Sequence, residues 1–459
     1  MRTRRRYRYF RATAARLMRR LHVWLECADD PIGTILANDE GALAFHYADS
    51  WLSARANHSL SLSLPLANQS FGDVRTRAYF NNLLQENDQL NHVIAREGLS
   101  RGDIAGLLAH VGADCAGAVS ILPEDAPPVK RPGDLEADYD ALPDEEFRDI
   151  VDRLAKGAPL PEGMLDPSPV AGFRDKFSLA GLPDGQFGLP KKGTGAPTTH
   201  ILKIPHPEHR HEARDEAFVT LLAHDCGLPV GTCLAQTIDE HEILLIQRFD
   251  RVICDNKVSR IHQEDFAQAA GLPAELKYER RGKEDRRFDA PTIGRILEAT
   301  GHPALSRTFF LRLTLFNLLI GNNDNHAKNH ALLHRPGEAP ELAPFYDLVP
   351  VQAVAGFRED LAFRIGTADF PQDIGFDDLI QFSTAIGIPA KSAPTILRNA
   401  THELVAAMEA LTLDFPREMR ALDNQIGAAA QYLAVCLALD VDIRERDAPV
   451  TRGGGWVVS

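Results

Sequence analysis

The sequence predicts an α+β protein built from three successive parts, and three patterns carry this prediction. Short β-rich segments separated by turn residues occupy the first part, at 22–26, 33–37 and 42–47. Strand-like and helical segments then alternate between about 170 and 250, and helical spacing dominates from about 263 onward. We therefore expect a β-rich N-terminal domain, a mixed α+β lobe and a mainly helical lobe.

The predicted boundaries follow changes in composition along the chain. Helical spacing covers 79–98 and 101–112, and a stretch rich in proline and acidic residues at 122–143 is typical of a surface linker. A helix with an acidic first turn follows at 144–157. The predicted parts are a basic N-terminal extension, an N-terminal subdomain, a linker with its helix, the mixed lobe, the helical lobe and a flexible tail: 1–20, 21–125, 126–157, 158–255, 256–442 and 443–459.

The first twenty residues contain nine arginines and no acidic residue, and they lack the apolar run of a secretory signal. Two interpretations stay open. The segment is either a basic arm that contacts nucleic acid, or upstream sequence that precedes a true start at Met18.

Composition excludes several classes of protein. A net charge of −14 does not suit a surface built as a whole to attract nucleic acid. The six cysteines are scattered without a C-x-x-C pair, so we expect neither a disulfide framework nor a zinc site, but free thiols in a reducing cytoplasm. The most apolar run, 309–320, contains Arg312 and is too short to cross a bilayer, so it predicts a core helix and no membrane span.

The segment richest in chemical groups is 308–333, where an apolar helix leads through a polar loop into a short apolar strand. Asp324 and Asn329 lie in that loop with the spacing D-x-x-x-x-N. In protein kinases an Asp of such a loop serves the attacking hydroxyl, and the Asn binds Mg²⁺. The alternative is a polar turn whose side chains bond only to the local backbone.

Asp347 is a lone carboxylate in the otherwise apolar run 342–351. Its burial requires a partner, and Mg²⁺ is a suitable one because hard cations prefer carboxylate oxygens. A hairpin-like connection from Asn329 to Asp347 would bring both ligands to one metal. The alternative is that Asp347 caps the next helix.

Three cationic or titratable residues complete the candidate site. His326 is a candidate partner of Asp324 or of a phosphate, and Lys328 is a candidate for stabilising transferred charge, although both also fit solvated loop positions. Lys203 ends the apolar run 197–205, where a strand would direct its ammonium toward nucleotide phosphates. The alternative is a lysine at the solvated end of an edge strand.

Ten segments, in this order, resemble the HipA family of bacterial serine/threonine kinases, the toxins of HipBA-type toxin–antitoxin systems. The likeness extends from about residue 20 to 440, and no single motif decides it. The segments are SLSLPL (61–66), YFNNLLQEN (79–87), AGAVSILPED (116–125), VAGFRDK (170–176), PTTHILK (197–203), IQRFDR (246–251), HQEDFAQAAGLP (262–273), KYE (277–279), IGNNDNHAKN (320–329) and PFYDL (344–348).

This resemblance implies a two-lobed protein-kinase-like fold with an N-terminal β-rich subdomain and a mainly helical C-lobe. It implies ATP and Mg²⁺ as cofactors, Asp324 as the catalytic aspartate, Asn329 and Asp347 as metal ligands, and Lys203 as the phosphate lysine. The remaining nucleotide residues implied by the family are two of a phosphate-covering loop and three of an adenosine-binding hinge: Gly172, Lys176, Gln247, Phe249 and Asp250.

The sequence departs from the family at one regulatory position. Family members commonly carry a serine directly before the loop that begins here at Val170, and its autophosphorylation switches the kinase off. Pro169 occupies that position in this chain, with Ser168 one place earlier. Either Ser168 is the modified residue or this self-inactivation is absent.

The resemblance implies a cytoplasmic serine/threonine kinase that phosphorylates a translation protein, typically an aminoacyl-tRNA synthetase, and thereby arrests growth. Its implied partner is a HipB-like helix-turn-helix antitoxin, through which it would reach operator DNA. Two alternatives compete with this hypothesis: a catalytically silent co-repressor, which would need broken catalytic residues, and a metallophosphoesterase, whose additional metal-ligand segments are not visible in the sequence.

Overall fold

The computed structural model describes most of the chain between residues 19 and 446. The described residues are 19–26, 28–84, 88–158, 160, 176–205, 211–353, 360–413 and 415–446. The arginine-rich start through residue 18, the predicted loop residue Gly172, the candidate phosphorylation site Ser168 and the tail from residue 447 therefore lie outside them.

The N-terminal subdomain is built on a four-stranded antiparallel sheet of order β3-β2-β1-β4. Alternate side chains of β1 and β3 are buried, and in β3 Leu43, Phe45 and Tyr47 face the core. This arrangement confirms the predicted strands of the first part. The strands are β1 (Arg19–Leu25), β2 (Gly33–Ala37), β3 (Leu43–Tyr47) and β4 (Val119–Pro123).

Four helices accompany this sheet, and they correct one prediction. The expected helix over 79–98 is divided, because the chain leaves its first helix at Asn82. The Asn82 side-chain amide donates to the carbonyl of Ala78 at 2.7 Å and to that of Leu272 in the C-lobe at 2.8 Å. Local side-chain bonds of this kind compete with helix continuation. The helices are α1 (Asp49–Ser53), α2 (Asp73–Asn81), α3 (Asp88–Glu97) and α4 (Ile104–Val111).

The N-lobe contains a six-stranded sheet of order β10-β11-β9-β7-β8-β6. The predicted linker contributes to it, because β6 pairs with β8, while β5 joins a small sheet with β12 and β13. The lobe thus begins before the predicted boundary at residue 158. Its elements are β5 (Gly133–Asp134), β6 (Tyr139–Ala141), α5 (Asp144–Ala155), β7 (Lys176–Gly181), β8 (Phe187–Pro190), β9 (His200–Lys203), α6 (Glu212–Asp225), β10 (Cys233–Ile238), β11 (His241–Gln247), β12 (Arg251–Cys254) and β13 (Lys257–Arg260).

The C-lobe is mainly helical, with one three-stranded sheet of order β14-β15-β16. The apolar helix α9 (Pro303–Ile320) is buried along most of its length, which confirms the predicted core helix. Within the described residues, no helix has the length and apolar character required to span a membrane. The elements are β14 (His262–Asp265), α7 (Phe266–Ala269), α8 (Ala290–Glu298), α9 (Pro303–Ile320), β15 (Ala331–His334), β16 (Glu341–Leu342), α10 (Phe376–Ala385), α11 (Ala393–Leu411) and α12 (Arg420–Leu437).

Several histidines are buried in the fold in their neutral form. The ring of His330 packs against Phe266 and Phe310, with ring centroids 5.4 Å and 5.0 Å apart. Burial lowers the pKa of His330 to about 4, and burial likewise lowers the pKa of His58 to about 4. Both side chains therefore resist protonation in the folded protein at pH values where the unfolded chain accepts a proton.

We expect folding stability to fall as the pH is lowered from 7 to 5. The unfolded histidines take up protons below a pKa of about 6.5, whereas the folded ones do not until the pH approaches 4. Each such histidine should cost up to about 1.4 kcal/mol per pH unit in this window. Urea unfolding at several pH values measures the slope, which His330→Gln should reduce. A midpoint independent of pH in this range would contradict the expectation.

Candidate active site

Two lysines of the N-lobe sheet point toward the cleft between the lobes. Lys176 at the start of β7 and Lys203 at the end of β9 are directly paired across the two antiparallel strands. Residues paired in this way project from the same face of a sheet. The strand pairing thus places the predicted phosphate lysine and the predicted loop lysine side by side.

Lys203 is held by a glutamate that the sequence analysis missed. Its ammonium lies 2.5 Å from Oε2 of Glu216, on helix α6, and both side chains are buried. Burial raises the pKa of Glu216, and the neighbouring Lys203 opposes that rise. The sequence offers no local signal for Glu216, because polar and apolar residues are hardly segregated along α6, and only the packing of this helix against the sheet buries the glutamate.

The same ammonium joins the two lobes through Asp347. The distance from Nζ of Lys203 to Oδ1 of Asp347 is 3.1 Å, although 144 residues separate the two in sequence. Burial opposes ionisation of this carboxyl, but the charges of Lys203 and Lys176 outweigh it and hold the Asp347 pKa well below its usual range. The side chain keeps 41% exposure, so an ionised carboxylate faces the cleft.

Asp347 reaches this position through the predicted hairpin. Strand β15 pairs with β16, with Leu332 opposite Leu342, and the chain then turns back toward the polar loop at 321–330, the candidate catalytic loop. The Tyr346 hydroxyl donates to the carbonyl of Lys328 at 2.8 Å, which ties the Asp347 segment to that loop. Asp347 itself has φ of 57°, a left-handed conformation that Asp and Asn adopt more readily than most residues.

The candidate catalytic loop begins where α9 ends, at Gly321. This glycine has φ of 73°, and a Cβ there would lie 2.9 Å from Cβ of Gln352, so both conformation and space favour glycine. Within the loop the Asn329 side-chain amide donates to the carbonyl of Asp324 at 3.0 Å. The two residues of the D-x-x-x-x-N pattern are therefore in contact through the backbone of Asp324, a local bond that the polar-turn alternative also contains.

The Asp324 carboxylate is largely enclosed. Burial raises its pKa, and the hydroxyl of Tyr278, which donates to Oδ1 at 2.6 Å, acts in the opposite direction. The negative charge of Asp347 raises the pKa of Asp324 further. A carboxylate with a raised pKa is suited to accept a proton from a hydroxyl group.

The donor set fits a magnesium ion. The Asn329 nitrogen is engaged by Asp324, which leaves the amide oxygen as its ligand atom, and Asp347 supplies an ionised, partly exposed carboxylate. Oxygen ligands of this kind are those that Mg²⁺ prefers in phosphoryl-transfer sites, where it usually keeps several waters.

His326 is packed against the site in its neutral form. Its ring stands edge-on to Tyr278, with centroids 5.0 Å apart, and burial lowers its pKa to about 3. A neutral imidazole cannot supply positive charge to a phosphate. Its Nδ1 atom is buried without a hydrogen-bond partner among the described residues.

The Lys328 ammonium is occupied by other residues instead of being presented to a phosphate. It lies 2.8 Å from Oδ2 of Asp265 and donates to Asn82, at 3.0 Å to Oδ1 and 3.2 Å to the carbonyl. Asn82 belongs to the N-terminal subdomain, so Lys328 connects that subdomain to the candidate catalytic loop. This geometry does not favour the predicted role in stabilising transferred charge.

We expect Lys328→Met to affect stability more than catalysis. The variant leaves Asp265 and Asn82 without their buried partner, which should cost about 1–3 kcal/mol of unfolding free energy. A lysine that neutralised the transferred phosphoryl group would instead cost about 10²–10³-fold in kcat. Urea unfolding and phosphoryl-transfer rates of Lys328→Met distinguish the structural role from the catalytic one. Asn82→Ala, which removes one partner of Lys328 but keeps the lysine, is measured for comparison. A large kcat loss with unchanged stability would restore the catalytic interpretation.

The predicted hinge follows β11. Gln247 is exposed at the end of that strand, and the ring of Phe249 lies 5.5 Å from that of Tyr346, centroid to centroid.

Asp250, the third predicted hinge residue, is buried between two arginines. Its Oδ2 atom lies 2.9 Å from Nη2 of Arg248 and 2.8 Å from Nη1 of Arg251. Burial opposes its ionisation, but the two guanidinium groups hold its pKa well below the usual range. Asp250 therefore braces the hinge from inside, while Gln247 and Phe249 remain accessible or partly so.

Comparison with known proteins matches a domain family to each of the two halves of the chain. The HipA N-terminal domain matches residues 21–122, and the HipA-like C-terminal domain matches residues 168–408. The protein Y4mE of Sinorhizobium fredii, provisionally assigned as a kinase, is 31% identical over 86% of this chain and 91% of its own length. The serine/threonine-protein kinase toxin HipA of Shewanella oneidensis is 28% identical over 81% of this chain and 85% of its own length.

A solved structure extends the similarity to the fold. HipA of Shewanella oneidensis MR-1, in a complex with HipB and its operator DNA, superposes with a TM-score of 0.70 at 26% identity. The superposition covers 91% of this chain and 95% of that one. This match confirms the predicted kinase-like α+β fold. With both domain families matched in order along the chain, this protein belongs to the HipA family.

Proposed function

We propose that this protein is a serine/threonine kinase that transfers the γ-phosphate of ATP to a protein hydroxyl, with Mg²⁺ as cofactor. The observation that carries the proposal is Lys203, held between Glu216 and Asp347 across the cleft from Asp324. A lysine positioned by a helix glutamate, next to a metal-binding aspartate, is the arrangement that protein kinases require for activity.

In the proposed reaction Asp324 orients the acceptor hydroxyl and takes its proton. The acceptor oxygen forms a bond to the γ-phosphorus as the bond from that phosphorus to the β–γ bridging oxygen breaks, and ADP leaves. Lys203 presents its ammonium to the ATP phosphates. Asn329 and Asp347 would hold Mg²⁺, which when bound neutralises phosphate charge.

The nucleotide residues retain the roles that the family implies. Lys176, beside Lys203 on the same face of the sheet, would contact the phosphates, and Gln247 and Phe249 would border the adenosine. Gly172 would cover the phosphates in the loop before Lys176. His326 and Asp250 would support the site from within, since both are buried.

The biological role is proposed from the relatives. We infer that the protein is the toxin of a toxin–antitoxin pair in the cytoplasm, that a HipB-like helix-turn-helix antitoxin binds it, and that it contacts operator DNA through that partner. The solved complex of a relative with HipB and operator DNA supports this. Its substrate would be a translation protein, typically an aminoacyl-tRNA synthetase, whose modification arrests growth.

The test combines γ-labelled ATP, Mg²⁺ and host-cell extract with the wild-type chain or with Asp324→Asn. We expect labelled serine or threonine in an extract protein with the wild type and at least about 10²-fold less with the variant. Equal labelling by both would contradict the assigned site. Mass spectrometry of the labelled bands identifies the substrate, and the same reaction reports whether Ser168 becomes phosphorylated.

The catalytically silent co-repressor is the competing outcome of this experiment. Binding of ATP without transfer to any protein, together with antitoxin-dependent operator binding, would favour it. Growth arrest on expression, relieved by the antitoxin and absent with Asp324→Asn, would favour the kinase.

A further inference from the structure

A tyrosine from outside the catalytic loop contacts the catalytic carboxylate. The segment 277–279 runs beside the loop, and the backbone amide of Ala327 donates to the carbonyl of Lys277 at 3.1 Å. From this position the Tyr278 hydroxyl donates to Oδ1 of Asp324 at 2.6 Å. Among the residues that the structure describes, it is the hydrogen-bond donor to this carboxylate.

The loop's own contacts fix the backbone of Asp324 and leave its side chain to Tyr278. The carbonyl of Asp324 accepts from the Asn329 side chain at 3.0 Å and from the His326 amide at 2.8 Å. Its amide donates to Oδ1 of Asn322 at 3.2 Å. Rotation about the last side-chain bond of an aspartate has a broad, two-fold profile, so a bond to one carboxylate oxygen is what selects its orientation.

Tyr278 is itself held from several directions. The guanidinium of Arg280 lies 4.1 Å from the centre of its ring, a cation–π distance, and that of Arg281 lies 5.2 Å away. Arg280 is anchored in turn by Asp360, at 3.1 Å. With the edge-on ring of His326 on the loop side, the phenol has little freedom to leave Asp324.

We propose that Tyr278 is a positioning residue for phosphoryl transfer, which holds Asp324 through Oδ1 so that Oδ2 faces the acceptor hydroxyl. This inference rests on the proposed kinase activity. The hydroxyl of Tyr278 keeps its proton throughout and acts only as a donor, because burial and its bond to Asp324 raise its pKa. A hydrogen bond to an ionised acceptor is among the stronger ones in proteins, so it also stabilises the charged form of the base.

The test is Tyr278→Phe, which removes the hydroxyl and keeps the ring for Arg280 and His326. We expect kcat to fall about 10–100-fold, since a misplaced catalytic group costs rates of this order, with KM for ATP within about twofold. The acid limb of the profile of kcat/KM against pH should move to higher pH, because loss of the donor makes the Asp324 carboxylate easier to protonate. A purely structural role for the tyrosine would not move that limb.

Tyr432→Phe is the matched control, since its hydroxyl bonds to backbone carbonyls in the C-lobe away from the site. If the wild-type protein is active and Tyr278→Phe has the same kcat and the same pH profile, the positioning role is overturned and the proposed kinase activity is not. A wild-type protein that transfers no phosphate would overturn the proposed function and this inference with it.

If Tyr278→Phe melts well below the wild type, 3-fluorotyrosine at position 278 is used in its place. Its more acidic hydroxyl is a stronger donor to Asp324 and should move the acid limb of the pH profile to lower pH. An unmoved limb would overturn the proposal.

Discussion

Replacing Asp347 by asparagine should reduce phosphoryl transfer by about 10³-fold while leaving the fold intact. The carboxylate is the charged group that the structure offers to Mg²⁺ at the cleft, and an amide oxygen supplies no net charge. Asparagine is the informative substitution because it tolerates the left-handed backbone found at this position, with φ of 57°. Lys203 keeps Glu216 as its partner in the variant.

Single-turnover transfer from ATP, measured over a range of Mg²⁺ concentrations, checks this expectation. We expect the remaining activity of Asp347→Asn to require more Mg²⁺ than the wild type does. Asp225→Asn, at an exposed position of α6, serves as the matched control and should behave as the wild type. Near-normal transfer by Asp347→Asn at ordinary Mg²⁺ would exclude Asp347 as the metal ligand.

Lys203→Met should damage both activity and stability. The substitution removes the cation from a buried carboxylate, Glu216, and from Asp347, and breaking a buried pair by removing one partner costs about 3–5 kcal/mol. Transfer should fall at least about 10²-fold, because a donor to the ATP phosphates is lost. Urea unfolding and transfer rates measured on the same preparation give the two losses separately.

The double variant Lys203→Met/Glu216→Gln separates the two effects. Glutamine carries no charge that requires a cation, so we expect the double variant to recover part of the lost stability. Activity should not return, because the phosphates still lack their lysine. Recovery of activity together with stability would show that Lys203 serves folding alone.

Much of the fold was predictable because local pattern and tertiary burial agree in it. Strand β3 of the β-rich start and the core helix α9 each bury the residues that their spacing suggested. Prediction failed at Asn82, where the side-chain amide bonds to the carbonyl of Leu272 in the C-lobe, 190 residues away in sequence. This bond helps end a helix that the local spacing would have continued. The linker likewise gained strands from partners far away in sequence.

In the site, too, residues close in sequence were predictable, and residues brought in by the packing of separate elements were not. Asp324 and Asn329 lie five residues apart, so the loop alone brings them into contact, and a single hairpin carries Asp347 from this loop to Lys203. Glu216 and Tyr278 were not recognised as members of the site. Each reaches it by the packing of a separate element, and a helix glutamate or a loop tyrosine has no local pattern that names its partner.

The sequence by itself determined the family, the kinase-like architecture and the set of oxygen and nitrogen groups available for phosphoryl transfer. Only the tertiary structure decided which charges meet. Lys203 finds Asp347 across 144 residues, and Lys328, predicted to stabilise transferred charge, finds Asp265 and Asn82 instead. The physical reason is that ion pairs and buried hydrogen bonds act over a few ångströms, and packing, not sequence spacing, sets distances on that scale.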